Sequence, residues 1–258
     1  TPPVIILIRQ IFGFALLLGY VLFQKKSLVV RFKDICWIVI LAGVACLHLW
    51  IQVTGLQWTT ASNTGWIIGI TPVFMTILAL IFFKEKLLLI QLTGIVTAFI
   101  GLLLLVSKGD LSSIDFINNK GDLLVVGSTI TWAVYSLISK KITLEYSSVI
   151  TTLYLFLFVA LLIAPVTINN VNINSIVSLS LGGWIAVSFL GLFCSGVAYV
   201  LWAQALSEMS AAKVGAFLYI QPFVTFFAAW FYLGEEITIL TLISGLIIIG
   251  GVIMVNRK

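Results

Sequence analysis

Apolar residues along this chain fall in long runs separated by short polar connectors. A helix needs about 20 mostly apolar residues to cross the hydrocarbon core of a bilayer, and each run is of that order. The runs are continuously apolar and do not alternate with polar residues, so they predict helices and not the strands of a membrane barrel. We therefore predict nine membrane-spanning helices. They cover approximately residues 3–23, 35–54, 61–83, 87–107, 121–139, 146–168, 181–204, 211–233 and 237–256.

Composition supports the same conclusion. Of the 258 residues, 61% are apolar and only 9% are charged, whereas a soluble domain carries about 25% charged residues. The mean hydropathy is +1.21. A chain with this few charged residues cannot form a surface that is soluble in water. Lipid must therefore be the solvent for much of the chain. We expect an all-α integral membrane protein.

The basic residues predict how the spans are oriented, because Lys and Arg accumulate in short cytoplasmic loops. If Thr1 lies outside the cell, Lys108 and Lys120 are the only basic residues of the sequence that also lie outside, and Arg9 lies within a span. The cytoplasmic set is then Lys25, Lys26, Arg31, Lys33, Lys84, Lys86, Lys140, Lys141, Lys213, Arg257 and Lys258. The net charge of +5 therefore indicates orientation and not nucleic-acid binding. We expect a prokaryotic cytoplasmic-membrane protein with a cytoplasmic C-terminus.

The sequence also contains an internal repeat. A displacement of 150 residues places Pro72 on Pro222 and Glu85 on Glu235 without a gap. The further matched pairs are Ala61 with Ala211, Gly65 with Gly215, Gly101 with Gly251 and Lys108 with Lys258. Shared membrane composition explains repeated leucines, but it does not explain a Gly–Pro–Glu pattern in register.

The two copies of the repeat face opposite ways. Under the predicted topology Glu85 is cytoplasmic and Glu235 is external, and the lysines that flank Glu85 are replaced by Gly234 and Glu236. The outward copy has thus lost its positive charges. Inverted repeats are typical of secondary transporters, whose substrate site lies near the midplane where the repeats meet.

The repeats differ in length. The second, residues 121–258, contains five predicted spans, and the first, residues 1–108, contains four. Nothing in the first corresponds to the span that holds Trp132 and Tyr135. We therefore expect a missing first helix before Thr1, so that residues 1–108 hold helices 2–5 of ten and residues 121–258 hold helices 6–10. A protein with nine spans is the alternative.

Short motifs recur in both repeats. The first contains Pro2-Pro3 with Arg9, and Gly55-Leu56 leading through Thr60-Ala61-Ser62 to Pro72 and Glu85. The second contains Gly121-Asp122-Leu123 with Trp132, Ala133 and Tyr135, then Trp202, Ala205-Leu206, Ala211, Pro222 and Glu235. Together they resemble the drug/metabolite transporter superfamily, specifically its ten-helix EamA-like exporter family, over essentially the whole chain.

That resemblance implies two inverted five-helix repeats around a central cavity. It also implies export of amino acids, metabolites or drugs, often driven by the proton gradient. The chain departs from the family pattern in two respects. We expect its first helix to be missing from this sequence, and His48 is not a general family feature.

Polar and aromatic side chains near the middle of the spans form the candidate substrate site. His48 is the only histidine, and an imidazole titrates near physiological pH. On a helix it shares a face with Gln52. It either takes part in proton coupling or substrate contact, or is a neutral imidazole bonded to a neighbouring helix. The predicted cavity lining is His48, Gln52, Trp132, Tyr135, Ser136, Tyr199, Trp202, Tyr219 and Gln221.

Three further side chains are candidates for a mechanical or ionic role. Arg9 lies about 9 Å into its span, at a rise of about 1.5 Å per residue. It either contacts an anionic group such as a substrate carboxylate, or snorkels outward or ties helix ends together. Pro72 and Pro222 each remove a backbone hydrogen bond and kink a helix. They predict hinges for alternating access, with tolerated packing kinks as the alternative.

Gly94 and Gly101 share a helix face and permit close contact between helices, either within one bundle or between two copies of the chain.

Other functional classes lack the residues that they need. Cys36, Cys46 and Cys194 have no metal-ligand spacing, and no span carries a carboxylate at mid-depth. We therefore expect no metal, no cofactor and no enzymatic activity. A nucleotide-sugar or organophosphate carrier is one alternative. Its anionic substrates would require several basic residues in the cavity, and this chain offers only Arg9. A membrane receptor or assembly factor is the other alternative. We predict a secondary transporter that exports small organic solutes by alternating access, with or without proton coupling, as a monomer or homodimer.

Overall fold

The computed structural model of the chain describes residues 1–59, 61–107, 110, 119–168, 174, 176–221, 224 and 239–257. Within these ranges the chain is helical, with short turns and no strand, which confirms the all-α prediction. The elements in chain order are α1 (Pro2–Phe23), α2 (Phe32–Gly55), α3 (Ala61–Ile68), α4 (Thr71–Phe82), α5 (Leu89–Val106), α6 (Lys120–Thr143), α7 (Ser148–Thr167), α8 (Leu181–Phe189), a π-helix (Leu190–Val197), α9 (Ala198–Glu208), α10 (Ala211–Ala216), a 3₁₀ turn (Phe217–Tyr219) and α11 (Ile239–Asn256).

Six of the described helical runs are long and apolar enough to cross a membrane. They are α1, α2, α5, α6, α7 and the run Leu181–Glu208, which joins α8, the π-helix and α9. Large apolar side chains remain exposed along them and along α11, for example Leu161 at 59%, Phe189 at 55% and Ile253 of α11 at 56%. Exposed leucine and isoleucine on so many helix faces is the surface that a bilayer requires. The protein is therefore a membrane protein.

Serine side chains fix where three of the helices begin. Ser147, Ser180 and Ser210 precede α7, α8 and α10, and each side-chain oxygen accepts a hydrogen bond from the backbone N–H three residues later. A helix leaves its first four N–H groups without an internal partner, and a serine at the N-cap satisfies one of them. These starts are thus readable in the sequence.

The predicted span 61–83 is interrupted and not merely kinked. α3 ends at Ile68 and α4 begins at Thr71, with Pro72 in the first turn of α4. The Ile70 N–H bonds to the Ile67 carbonyl at 3.0 Å, in the tighter three-residue pattern. Proline has no N–H, and its ring clashes with the carbonyl four residues back, so the regular helix must end before it. The break therefore lies just ahead of Pro72.

Two other predicted spans differ in detail from uniform helices. The span 181–204 contains eight π-helical residues between α8 and α9. The span 211–233 begins as α10 and continues as the 3₁₀ turn. Pro222, its predicted hinge, lies outside the described residues.

The chain divides into two contact units. Unit 1 comprises Thr1–Val53 and Tyr135–Glu208, and unit 2 comprises Thr54–Val134 and Met209–Lys258. In unit 1, α1 packs against α7 and the π-helix, and in unit 2, α5 packs against α11 and α4 against α10. Each unit thus draws helices from both predicted repeats, whose boundaries at 1–108 and 121–258 stay a prediction about sequence.

In unit 2 the α5–α11 contact is made through glycines. A Cβ added to Gly251 would lie 2.5 Å from the Ala98 nitrogen and 2.6 Å from the Gly94 carbonyl oxygen. A Cβ on Gly101 would lie 2.9 Å from Ile248 Cγ1. No side chain fits at these points, so the two backbones touch directly. The close helix contact that the sequence predicts at Gly94 and Gly101 is therefore made within one chain.

Candidate functional site

The described polar and aromatic groups of unit 1 line up along one face of the π-helix and α9. Ser195, Tyr199 and Trp202 follow at spacings of four and three residues, which place side chains on a common helix face. Ser195 and Tyr199 are buried, and Trp202 is half-buried. We call these three side chains, with the partners described next, the polar–aromatic line.

Arg9 meets the line at Ser195. Its Nε donates a hydrogen bond of 2.8 Å to the Ser195 hydroxyl. Its positive charge also interacts electrostatically with the side chain of Tyr199. Among the described residues, the terminal nitrogens of Arg9 have no hydrogen-bond or ion-pair partner. An arginine at the centre of a membrane helix costs about 2.5–3.5 kcal/mol on insertion scales. A half-buried cation that has no counter-ion in the ranges the structure describes is therefore a functional candidate.

Aromatic rings pack around the middle of the line. The Tyr199 ring centroid lies 5.7 Å from that of Tyr135 and 5.6 Å from that of Phe156, both in tilted arrangements. Tilted ring pairs at this separation are favourable beyond the area that they bury. Tyr199, Tyr135 and Phe156 are 6%, 1% and 0% exposed, so the three rings form a buried aromatic cluster in unit 1.

The far end of the line is fixed by Trp202. Its indole Nε1 donates a hydrogen bond of 3.1 Å to the hydroxyl of Ser136, a fully buried residue on α6. An indole has one polar atom, and burial of the ring requires a partner for it. Ser136 supplies that partner. Because Tyr135 directly precedes Ser136 in the sequence, the same hydrogen bond orients Trp202 relative to Tyr135.

Glycines bring α1 close enough for the Arg9–Ser195 contact. A Cβ added to Gly191 of the π-helix would lie 2.5 Å from Phe12 Cβ, and one on Gly13 would lie 2.7 Å from a Phe156 ring carbon. A Cβ on Gly196 would lie 2.7 Å from a methyl carbon of Leu16. The site thus depends on the absence of side chains at three positions.

The structure brings five of the predicted site residues together in unit 1: Arg9, Tyr135, Ser136, Tyr199 and Trp202. His48 and Gln52 also belong to unit 1 and lie one turn apart on α2. His48 is 4% exposed, and Gln52 is half-buried. Both stay candidates for the cavity lining.

The remaining predicted residues belong to unit 2. Trp132 is half-buried on α6, and Gln221 is exposed. Tyr219 is fully buried in an apolar cluster with Ile95, Leu102 and other side chains of α5 and α11. Its hydroxyl has no hydrogen-bond partner among the described residues. In this unit Tyr219 is thus a core residue with a polar tip.

Sequence reasoning missed three features of the site. It did not single out Ser195, because a lone serine in a span carries no motif. It did not predict the π-helix, although Gly191 and Gly196 surround Ser195 and make an unusual run in an apolar span. It also passed over Gln10, which is 1% exposed and whose amide atoms have no partner among the described residues. A buried, unsatisfied amide is a costly feature and demands an explanation.

A second polar cluster lies where α2 begins. Arg31 Nε lies 2.6 Å from Asp34 Oδ2, Arg31 also pairs with Glu145, and the Tyr146 hydroxyl donates to Asp34 at 2.5 Å. The hydrogen bond with Asp34, followed by that with Tyr146, raises the pKa of Arg31. Exposed pairs of this kind add little stability. The cluster ties α2 to the α6–α7 turn of unit 1 and lies outside the polar–aromatic line.

No group of His, Cys, Asp or Glu in the described part of the chain could hold a metal ion. The free cysteines are Cys36, Cys46 and Cys194. The chemistry available to the polar–aromatic line is therefore charge pairing, hydrogen bonding and contact with aromatic rings. These are the interactions that bind a small solute.

Comparison with known proteins extends this description. An uncharacterized transporter of Archaeoglobus fulgidus is 31% identical over 221 residues, which cover 84% of this chain and 74% of that protein. The uncharacterized transporter YyaM of Bacillus subtilis is 29% identical over 77% of this chain, and the match spans 65% of YyaM. A probable terminal-alkyne amino-acid exporter of Streptantibioticus cattleyicolor is 24% identical over 77% of this chain, spanning 65% of that exporter.

A crystal structure with 16% sequence identity has a TM-score of 0.80, covering 99% of this chain and 89% of that chain. At this identity the likeness shows a shared fold. The profile of the EamA-like transporter family matches residues 1–107 and 119–257, which is nearly the whole chain. The protein therefore belongs to the EamA-like transporter family.

Proposed function

We propose that this protein is a secondary transporter that exports amino acids or similar small metabolites across the cytoplasmic membrane by alternating access. Its family membership supports transport, and one relative is a probable amino-acid exporter. The observation that carries the proposal is the polar–aromatic line of unit 1. In unit 1 it brings together Arg9, which has no counter-ion in the described part of the chain, with a serine, three packed rings and a tryptophan from four membrane-helix segments.

The chemistry of the line suits a small amphiphilic solute. Arg9 offers a charge and Trp202 offers a half-buried ring, and the buried hydroxyls of Ser195 and Ser136 position these two side chains. Ligand sites are mostly apolar and aromatic, with a few placed polar groups that fix orientation. An organophosphate would need several cations, and Arg9 is the only basic residue well inside a predicted span. A zwitterion or monocarboxylate fits this set of groups better.

Alternating access needs places where helices can bend. The break between α3 and α4, just ahead of Pro72, leaves a turn of tighter hydrogen bonds inside one predicted span. Discontinuous helices of this kind form substrate and coupling sites in inverted-repeat transporters. We assign Pro72 a hinge role, and Pro222 the equivalent role in the second repeat, on the strength of the sequence repeat.

His48 is the candidate for proton coupling. It is the only histidine in the chain and is buried within α2, at 4% exposure. An imidazole can gain and lose a proton near neutral pH, and ionisable groups inside membranes mark proton or substrate paths. Coupling through His48 makes export depend on the proton gradient.

Counterflow uptake in proteoliposomes tests the proposal. The purified protein, in its full gene-encoded length, is reconstituted with unlabelled amino acid inside, and entry of labelled amino acids is measured with and without an imposed pH gradient. We expect saturable uptake of at least one amino acid, accelerated by the gradient. His48→Ala should abolish the acceleration, whereas Leu47→Ala, which alters a side chain that is 52% exposed, should leave it intact.

The other possible results of the counterflow assay each identify a different function. Uptake that is indifferent to the gradient identifies a facilitator and assigns His48 to packing. Failure to take up any amino acid contradicts the proposed substrate class, and the same assay is then repeated with amphiphilic amines and drugs. Absence of uptake for all of these would favour a receptor or assembly role.

A further inference from the structure

Within the described part of the chain, Arg9 makes a hydrogen bond through one of its three guanidinium nitrogens and none through the other two. Its Nε donates to Ser195 at 2.8 Å, which uses one of the five N–H donors of a guanidinium. Among the described residues, nothing accepts from the four donors on Nη1 and Nη2. The part of the side chain that remains open is the planar fork that matches a carboxylate in a bidentate pair.

The Ser195 contact distinguishes this arrangement from a snorkelling arginine. A snorkelling side chain extends along the helix surface and carries its charged head to the membrane interface. Arg9 is instead tied through Nε to a serine that is 0% exposed and lies on the π-helix. The guanidinium is therefore held against the packed interior of unit 1, and its plane is set by a bond to a buried hydroxyl.

The backbone around Ser195 explains why the serine is fixed in place. Gly191 lies so close to α1 that a Cβ there would be 2.5 Å from Phe12 Cβ and 3.1 Å from the Arg9 carbonyl oxygen. In the π-helix that carries Ser195, each backbone hydrogen bond spans five residues instead of the four of an α-helix, and such segments occur frequently at functional sites. The close approach and the altered winding together direct Ser195 towards Arg9.

Tyr199, the next side chain on the line, provides an apolar continuation. It lies four residues beyond Ser195 and packs against Tyr135 and Phe156, with ring centroids 5.7 and 5.6 Å away. The Arg9 end of the line is thus followed directly by a cluster of buried aromatic rings. A ligand with a carboxylate at one end and an apolar group at the other matches this order.

We propose that Arg9, positioned by Ser195, is the subsite that binds the carboxylate of the transported solute. The ligand class is amino acids and related monocarboxylates with an apolar side chain. This inference rests on the proposed transport function and makes it more specific. Arg9 contacts the substrate in this assignment, and Ser195 is a positioning residue that acts through Arg9.

Paired substrates test the inference. Counterflow is measured with L-amino acids and with the corresponding amino-acid amides, in which a neutral carboxamide replaces the carboxylate while the amino group and side chain are kept. The wild-type protein should prefer the acids. Arg9→Gln should lower acid uptake by about tenfold or more, since a hydrogen bond to a charged group contributes about 1.5–3 kcal/mol. Amide uptake should be unchanged, which also shows that the variant is folded.

Two more variants distinguish substrate contact by Arg9 from the positioning of Arg9 by Ser195. Arg9→Lys retains a charge but loses the fork, so acid uptake should fall while amide uptake stays at the wild-type level. Ser195→Ala leaves the charge but frees the guanidinium, so KM for the acids should rise with little change in kcat. Lys33→Gln removes an exposed cation of unit 1 and should leave the acid-to-amide ratio unaltered.

The outcomes separate this inference from the proposed function. If Arg9→Gln lowers acid and amide uptake equally, or lowers neither, Arg9 is a structural or interfacial residue and the inference is wrong, while the transport function stands. If the wild-type protein carries only the amides, the inference is also wrong and the substrate is an amine. If the wild-type protein carries neither, both the inference and the proposed amino-acid transport are contradicted.

Discussion

The Glu85 carboxylate accepts a hydrogen bond of 3.0 Å from the backbone N–H of Ala211, the first residue of α10. The bond joins the segment after α4 to the start of a helix from the other sequence repeat, inside unit 2. A carboxylate at a helix N-terminus satisfies an unpaired N–H and interacts favourably with the helix dipole. Glu85 therefore caps a helix far away in sequence.

Removing this cap should destabilise the protein. Glu85→Ala should lower the free energy of unfolding by about 0.5–2 kcal/mol, the range measured for lost N-caps. Thermal unfolding of the purified protein in detergent measures the change. Glu208→Ala is the matched control, because Glu208 is exposed and, among the residues described, its side chain bonds only with the exposed Gln204 side chain. Equal effects of the two substitutions would contradict the capping role.

The glycine contact between α5 and α11 predicts a sharp contrast between neighbouring positions. Gly251→Ala should destabilise the protein by about 1–3 kcal/mol, as overpacking does, because its Cβ would lie 2.5 Å from the Ala98 nitrogen. Gly250→Ala should be neutral or slightly stabilising, because nothing lies within 4 Å of the added Cβ. Thermal unfolding of the two variants side by side checks the contrast, and equal stability would show that the helices are farther apart.

Gln10 predicts a substitution that increases stability. Its amide is buried, and neither polar atom has a partner among the described residues. Gln10→Leu should raise the free energy of unfolding by about 1–3 kcal/mol, since an unsatisfied buried polar group carries that penalty. Gln24→Leu, at the exposed end of α1, should change stability little.

The same variant reports on the transport cycle. If Gln10→Leu is more stable and still transports, the amide is a tolerated defect. If it is more stable but does not transport, Gln10 finds its partners in another conformation of the protein. A loss of stability would contradict the description of Gln10 as unsatisfied.

The Trp202–Ser136 hydrogen bond can be measured by a double-mutant cycle. Trp202→Phe keeps a ring but removes the donor, and Ser136→Ala removes the acceptor. The coupling free energy between the two changes should be about 0.5–1.5 kcal/mol, the net value of a buried hydrogen bond. Chemical denaturation of the wild type, both single variants and the double variant provides the four free energies. Additive effects would show that the two side chains act independently.

Much of the fold is predictable from sequence because lipid imposes a simple rule. A span must be long, apolar and fully hydrogen-bonded within itself, so α1 was predicted at 3–23 and is observed at Pro2–Phe23. Pro72 likewise indicates an irregularity in its span. Whether that irregularity is a bend or a complete interruption depends on neighbouring packing, and sequence pattern alone does not decide it.

The details of the candidate site were less predictable because they are set by tertiary contacts. Arg9 could be recognised as unusual, but its partner Ser195 lies 186 positions away, beyond any local pattern. The π-helix has the same apolar composition as an α-helix, and its winding is decided by how Gly191 and Gly196 meet α1. Tyr135, Tyr199 and Trp202 were predictable as a set because aromatic residues are recognisable by type. Their pairing was not.

The direct backbone contact between α5 and α11 has a consequence for assembly. Gly94, Gly101 and Gly251 form the smooth, side-chain-free strips that membrane helices use to associate, and here the strips are covered by each other within one protomer. A second subunit cannot use them without first separating the two helices. A homodimer of this protein would therefore have to form through other surfaces, such as the helix faces around Gly19 and Gly43, where nothing lies within 4 Å of an added Cβ.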